Sequence, residues 1–548
     1  MISNNVIIIS AVIKFIMYLY NRKITMKLKY SLIIFILSYG SIQNSLAESL
    51  FKQYKMPALD RITNSSPIKE LIYKSKVLKR SKTVSISLDA INDPKTYQAQ
   101  LRIEIKDSLP NLATEKTVKF TGNKTSELNH FLQSITDNKT IILQNSQIIG
   151  DETLFIPENT VLLGSNTILL SSVSPSISIS ADNITIKDLI IRATGIGVQI
   201  TNAVGVIIQN LQLTDSGRGI AVLTDSHFIE MDQIQIKNPK QGGILIQGNV
   251  SHVWLHNSQI SNGQRADHGG AGILISDAKP KSNLEESTVT KSITEHIWPL
   301  TKSIPYALLI EHNIVTDNLA QGIYIDGGYG LVIQNNQLQN NDKEGLSLEF
   351  GSVNNIVMEN TLFHNGFRIR QTDRDLKDDL TLSFGRLADG SAVSKLPGIS
   401  VDNAAQNLIL WNIINNNAGD GIKMVRSGIR NIAMFNSIIS NNEGHNKYFH
   451  YFGIVLGSAG IESKLDPNNT TIDFLPAIEN IIAGNMIYGK HWAGIFLDRG
   501  ASFNDIYDNM IRHYRLSPLD STSSNFNSIV GNSWQNSSSS SWLDRIFN

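Results

Sequence analysis

From about residue 177 the chain alternates short apolar runs with polar turns, and one phrase keeps returning: Gly-Ile-x-apolar. It stands at Gly219-Ile220, Gly243-Ile244, Gly272-Ile273, Gly322-Ile323, Gly345-Leu346, Gly398-Ile399, Gly421-Ile422, Gly453-Ile454 and Gly494-Ile495. Spacings of 23 or 24 residues separate 219 from 243, 322 from 345 and 398 from 421; wider gaps are the same period plus an insertion. A second column runs in phase with the first: Asp188, Asn210, Asp232, Asn257, Asn313, Asn336, Asn360, Asn412, Asn436, Asn485, Asn509 and Asn532. Between the two columns lie runs such as Leu331-Val332-Ile333-Gln334, whose period-2 alternation reads as short strands. A fixed period of this length marks a repeat architecture. Each unit carries two or three short strands and cannot bury its apolar face alone. Stacking units about 4.8 Å apart pairs every strand with its copy in the next unit. The pattern therefore predicts an all-β parallel solenoid over residues 125–536. Inward Ile, Leu and Val form its stack, and turn asparagines pile on their copies.

The flanks read differently. Thr125-Ser126-Glu127-Leu128 opens a short amphipathic helix that continues through His130-Phe131-Leu132 and Ile135, a cap leading into Thr140-Ile141-Ile142-Leu143. Residues 48–124 form a lysine-rich leading segment with a basic stretch from Lys74 to Lys82. In it Val84–Leu88 and Gln100–Ile105 read as strands by alternation. The apolar run Val6–Tyr20 is short for a membrane span, which needs about 20 residues. A second run has Lys27 and Lys29 before the apolar Tyr30–Tyr39 and a small-residue site at Ser45-Leu46-Ala47. Residues 1–47 therefore read as an export signal with Met26 as the true start, and whether the first run is translated stays open. With the signal removed, no stable membrane span is expected. The protein is then exported to a bacterial periplasm, cell surface or medium. Residues 537–548, a serine run followed by Trp542-Leu543-Asp544-Arg545-Ile546-Phe547, read as a tail or a cap on the last turn.

These repeats resemble the right-handed parallel β-helix of the pectin-lyase-like superfamily. The likeness covers roughly residues 125–535, including Ile156-Pro157 and Val161-Leu162-Leu163-Gly164. It implies a fold and leaves the activity open, because such folds host lyases, epimerases, hydrolases, transferases and pure binding proteins. The motifs that distinguish those activities are missing. There is no Asp-Pro-His-Asp of alginate epimerases, no Asn-Thr-Asp-Gly with Gly-His-Gly of polygalacturonase-like hydrolases, and no Arg-x-Pro-x-x-Arg of pectate lyases. No site residue carries over by motif.

Composition narrows the classes. The 548 residues contain no cysteine, which excludes disulfide frameworks, thiolate metal sites and a cysteine nucleophile. The 48 basic residues balance 48 acidic ones, which argues against nucleic acid as a partner. The 53 asparagines are nearly a tenth of the chain, an excess that the turn column explains.

Insertions locate the candidate chemistry, since in solenoids they cluster on the binding face. Asp277–Tyr306, Asn365–Pro397, Asn442–Phe452, Gly460–Pro476 and the shorter Gly263–Gly270 all flank the Gly-Ile strands, so they should wall a groove over that sheet. In Gly-Ile-x-Ile-x the two x positions point away from the core. They are Tyr324 and Asp326, Ser347 and Glu349, Ser400 and Asp402, Lys423 and Val425. Asp326, Glu349 and Asp402 would stack in one column, with Lys423 a turn beyond and Asp498 further along. Carboxylates this close raise at least one pKa and offer an acid beside a base. The trio could equally hold a hard cation such as Ca²⁺, although the sequence demands no cofactor. Arg265 and His268, in Gln264-Arg265-Ala266-Asp267-His268-Gly269-Gly270, join Arg426 and Tyr324 as candidate substrate-binding residues. Arg368, Arg370, Asp373, Arg374 and Asp375 read as a solvated loop. His445, Tyr448, Phe449, His450, Tyr488, His491 and Trp492 are loop aromatics suited to stacking on sugar rings. The expectation is an exported carbohydrate-active protein. It acts on a polysaccharide by lyase, epimerase or hydrolase chemistry, with Asp326, Glu349, Asp402 and Lys423 at its centre. The alternative is a non-catalytic glycan-binding or scaffolding rod. Oligomeric state is left open.

Overall fold

The computed structural model describes residues 94–111, 116–135, 138–277, 304–367, 396–425, 428–441, 451–457, 477–489, 491–498, 500–521, 524 and 526–535. The expectations placed on the export signal, Val84–Leu88, the C-terminal tail, Arg426, the cluster from Arg368 to Asp375, and His445 to His450 all lie outside these residues.

The repeat folds as the period requires. One coil runs through the strand Ile323–Tyr329, the strand Val332–Gln334 and the strand Gln337–Gln339, and the next begins at Leu346–Val353. Every pairing between coils is parallel. The Gly-Ile strands form a sheet of 13 strands among the described residues, from Leu154–Ile156 to Ser517–Asp520. The other strands of each coil form a second sheet wrapping the remaining faces. The result is a right-handed parallel β-helix. The isoleucine column is in strict register: Ile220, Ile244, Ile273, Ile323, Leu346, Ile399, Ile422, Ile454 and Ile495 pair coil to coil and all are fully buried. The glycine before each has a steric cause. A Cβ on Gly421 would sit 2.5 Å from the carbonyl oxygen of Gly453 and 2.4 Å from Ile438 Cγ2, so only glycine lets successive coils approach.

Three corners, not one, carry asparagine ladders. The first is Asn313, Asn336, Asn360, Asn412, Asn436, Asn485, Asn509 and Asn532. The second is Asn355, Asn407, Asn431, Asn480, Asn504 and Asn527. The third is Asn318, Asn341, Asn365, Asn417 and Asn441. Each rung is satisfied in the same way. Asn336 donates its backbone N–H (2.9 Å) and its Nδ2 (3.0 Å) to Asn360 Oδ1, and Nδ2 also donates to the Ile310 carbonyl at 2.9 Å. The residue before each rung bends the chain in the left-handed region, as at Asn335, Glu359, Trp411 and Phe435.

Here the sequence reading needs a correction. Asp188, Asn210 and Asn257 are themselves left-handed corner residues, with φ of 57°, 51° and 50°. Asp232 sits one strand position earlier, paired with His256. The true inner positions of those early coils are Leu189, Leu211, Ile234 and Ser258. The Ser258 N–H donates to Asn313 Oδ1, where the asparagine rungs begin. Corner and rung both favour asparagine, and they differ by a single residue, so one column in the sequence conceals two in space.

The short helix Thr125–Gln133 forms where the sequence placed it and packs Leu128 and Leu132 onto the first coil. Gln100–Ile105 is not a strand. It lies inside a helix, Pro94–Ser108, whose buried residues Pro94, Gln98, Leu101 and Ile105 follow helical spacing while Ile103 is exposed. The run Leu101, Ile103, Ile105 fits either period, and Pro94 at the first turn decides for helix. This helix docks on the wrapping sheet through buried Glu311. Arg102 holds Glu311 with bonds of 2.6 to 3.1 Å, joined by Gln98 at 2.9 Å and Trp254 Nε1 at 2.9 Å. Tyr97 reaches the Gly330 carbonyl and Lys95 pairs with Glu359, so the helix spans several coils.

Replacing one rung should test the ladders. Asn360→Ala leaves the Asn336 N–H and the Ile333 carbonyl without their partner, a loss of about 2–4 kcal/mol. Urea unfolding followed by circular dichroism should show a clearly lower midpoint than for Asn340→Ala, a substitution at an exposed corner.

Candidate functional site

The Gly-Ile sheet sets the site. Its register places Ser276, Asp326, Glu349, Asp402 and Val425 in one column, and Leu274, Tyr324, Ser347, Ser400, Lys423 and Val455 in the neighbouring one. The three expected carboxylates are therefore direct neighbours on successive strands, about 4.8 Å apart along the axis. Asp498 continues the line: a Cβ on Gly457 would lie 2.9 Å from the Asp498 Cβ.

What the sequence did not foresee is how far this face is buried. Tyr324, Ser347, Glu349, Ser400 and Asp402 are 0–8% exposed, while Asp326 and Lys423 keep intermediate exposure. A ladder of outward positions would ordinarily be solvated. At Tyr324 the cover is visible: the His268 ring, from the turn His268–Gly270, stacks on it at 4.6 Å and 19°.

Burial turns the column into a network. Glu349 accepts at both oxygens, from the Tyr324 hydroxyl at 2.9 Å and from the Ser347 hydroxyl at 2.8 Å. Loss of solvent first, and then the nearby charges of Glu349 and Asp326, hold the Tyr324 hydroxyl protonated far above its ordinary range, so it remains a donor. His268 is fixed as well. Gln321 Nε2 can only donate, so at 2.8 Å it makes His268 Nδ1 the acceptor. The turn is clamped by Arg218, whose Nη2 donates to the Gly269 carbonyl at 3.0 Å. Arg218 is buried, and burial first, then repulsion from Arg265, lowers its pKa to about 10. Arg265 pairs with Asp267 at 2.5 Å on the rim.

Lys423 lies one coil beyond Asp402 and one column over, as strand alternation places it. It pairs in register with Ser400, and its charge acts on Asp420, a residue the sequence reading passed over. Asp420 is buried at the start of its strand and accepts the Phe452 N–H at 2.6 Å. Burial raises its pKa to about 6, partly opposed by Lys423. The signal for Asp420 was present: an acid immediately before Gly421-Ile422, where a side chain enters the covered edge of the sheet. Arg218 gave the same signal before Gly219. Of the loop aromatics, His491 is fully buried, too enclosed to meet a sugar. Among the described residues, no three His, Asp or Glu side chains converge as they would around a metal ion.

Comparison with solved structures finds partial likenesses. The A-module of Azotobacter vinelandii mannuronan C-5 epimerase AlgE4 superposes with a TM-score of 0.47 at 11% identity, over 78% of this chain and 99% of that one. The catalytic domain of a GH87 α-1,3-glucanase in complex with nigerose gives 0.45 at 14% identity, over 78% and 70%. The Dettilon tailspike protein gives 0.38 at 14% identity, over 74% and 64%. No curated protein sequence matches the chain at a significant level. The profile of the family described as "Right handed beta helix region" matches residues 176–362. The coils seen in the structure and this match together identify residues 176–362 as a right-handed β-helix region.

Proposed function

We propose that the protein is a carbohydrate-active enzyme that holds a polysaccharide along the Gly-Ile sheet and works on it by proton transfer between carboxyl groups. The observation that carries this reading is a set of buried carboxyls on one sheet, Glu349 and Asp402 in a single column and Asp420 just before the following strand. Glu349 is held as an acceptor by two hydroxyls, and Asp420 is brought by burial to titrate near neutrality. Separating the behaviour of two carboxyls is how one site supplies both an acid and a base. In this reading Asp420 gives and takes the proton, Glu349 with Asp402 supplies the negative charge opposite it, and Lys423 steadies the ionised form of Asp420. Tyr324 and His268 frame the substrate at one side. Asp326, which keeps intermediate exposure, meets the substrate at the rim of that column. If residues 1–47 act as an export signal, the enzyme would meet an extracytoplasmic glycan.

The purified protein should be screened on a panel of neutral and acidic polysaccharides, reading unsaturated products and reducing ends together. The parent should turn over at least one of them. The double variant Glu349→Ala, Asp402→Ala should lose turnover by several orders of magnitude while keeping its circular dichroism. Full activity in that variant removes the site, and saturable binding without product by the parent turns the reading to a glycan-binding rod.

Asp420 adds a pH signature with a definite sign. Its carboxyl rises from 3.8 to about 6 on folding, so the folded state resists ionising it. Below about pH 4 both states are protonated and there is no cost; above about pH 6 the cost is complete. Asp420→Asn should therefore stabilise the protein at about pH 8, by up to about 3 kcal/mol. That gain should shrink to nothing toward pH 4, while turnover is lost at every pH. Denaturant titrations at the two pH values measure the difference.

A further inference from the structure

The outward columns of the Gly-Ile sheet do not end at the carboxylates. The column that carries Tyr324, Ser347, Ser400 and Lys423 continues in register to Val455 and then to Phe496. Phe496 stacks on Phe452 with ring centroids 4.4 Å apart and planes 18° from parallel, and both rings are only half-buried. A stacked pair keeps two outer faces. Phe452 is also tied to the proposed proton-transfer group, because its N–H is the donor that Asp420 accepts. An aromatic platform is thus built onto the same sheet as the carboxyls, and one hydrogen bond fixes its position relative to one of them.

We propose that Phe452 and Phe496 form a distal subsite that stacks a pyranose ring of the same glycan chain, so that the polymer lies along the solenoid axis rather than across it. This rests on the reading of the site as carbohydrate-active. The chemistry fits. A pyranose ring presents a face of C–H groups that packs on an aromatic ring, while its hydroxyls stay at the rim for polar groups. The dimensions fit as well. From Ser347 to Phe496 is four strand steps, or about 19 Å. Only an oligosaccharide of several units can touch Glu349 and the platform together. The groove floor between them carries Ser400, Lys423 and Val455, which leaves a narrow polar stretch between the carboxylates and an apolar end.

The test is a chain-length series. Oligosaccharides from dimer to octamer are cut from the panel polysaccharide that the parent binds or turns over, and affinity is measured by calorimetry in a Glu349→Gln background to prevent turnover. Affinity should step up about five- to tenfold once the oligomer is long enough to span the groove. Phe496→Leu keeps an apolar side chain of similar bulk but lacks the ring, and should remove that step while leaving the shortest oligomers unchanged. Phe496→Trp should restore it. Thermal unfolding of each variant checks that the coil is intact. A length step that persists in Phe496→Leu overturns the subsite, whatever the catalysis. If no polysaccharide of the panel binds, the functional reading falls and the subsite with it. If long oligomers bind through Phe496 and none is cleaved, the subsite stands and the enzymatic reading fails.

Discussion

Everything in this molecule depends on satisfying polar groups that the coil geometry buries. A chain that turns a corner in every few residues, and then stacks another coil on top, leaves backbone N–H and C=O groups at each corner with no strand to pair them. The asparagine rungs answer that need with one side chain. An amide has both a donor and an acceptor end, so each rung serves the coil above and the coil below and binds its own copy besides. No other residue of that size offers both. Where the early coils do without it, Leu189, Leu211 and Ile234 fill the same inner position. The ladders are thus a feature of the middle and C-terminal coils, where the insertions and the candidate site also lie.

The site inherits its precision from that stacking. Strand register, not loop placement, sets Asp326, Glu349 and Asp402 beside one another, and groups mounted on regular strands hold their geometry better than groups on loops. The turn His268–Gly270 covers the face at Tyr324. Burial locks that tyrosine as a donor and, further along the sheet, pushes Asp420 toward neutrality.

Much of this was legible in the sequence, and the misses have physical causes. The Gly-Ile column was read correctly because it joins two independent demands, a buried branched side chain and a position where no Cβ fits. The carboxylate column followed from it by strand alternation alone. The asparagine column was read one residue out of register in its early part, since a left-handed corner and an inner rung favour the same residue and sit side by side. The helix Pro94–Ser108 was missed because three apolar residues at alternate positions satisfy both periods. Asp420, Arg218 and the hydroxyl grip on Glu349 were missed for a different reason. They depend on burial and on contacts such as Tyr324 with Glu349 and Arg218 with Gly269, 25 and 51 residues apart, which a sequence pattern does not display.

The helix that rests on the wrapping sheet adds a constraint in time. Its residues, 94 to 108, are made before any coil exists, yet its seat is Glu311, 209 positions after Arg102, with Gly330 and Glu359 further on. Contacts of such separation close late, because the intervening chain must first be ordered. The seat of the helix is therefore complete only when the coils carrying Glu311, Gly330 and Glu359 are in place.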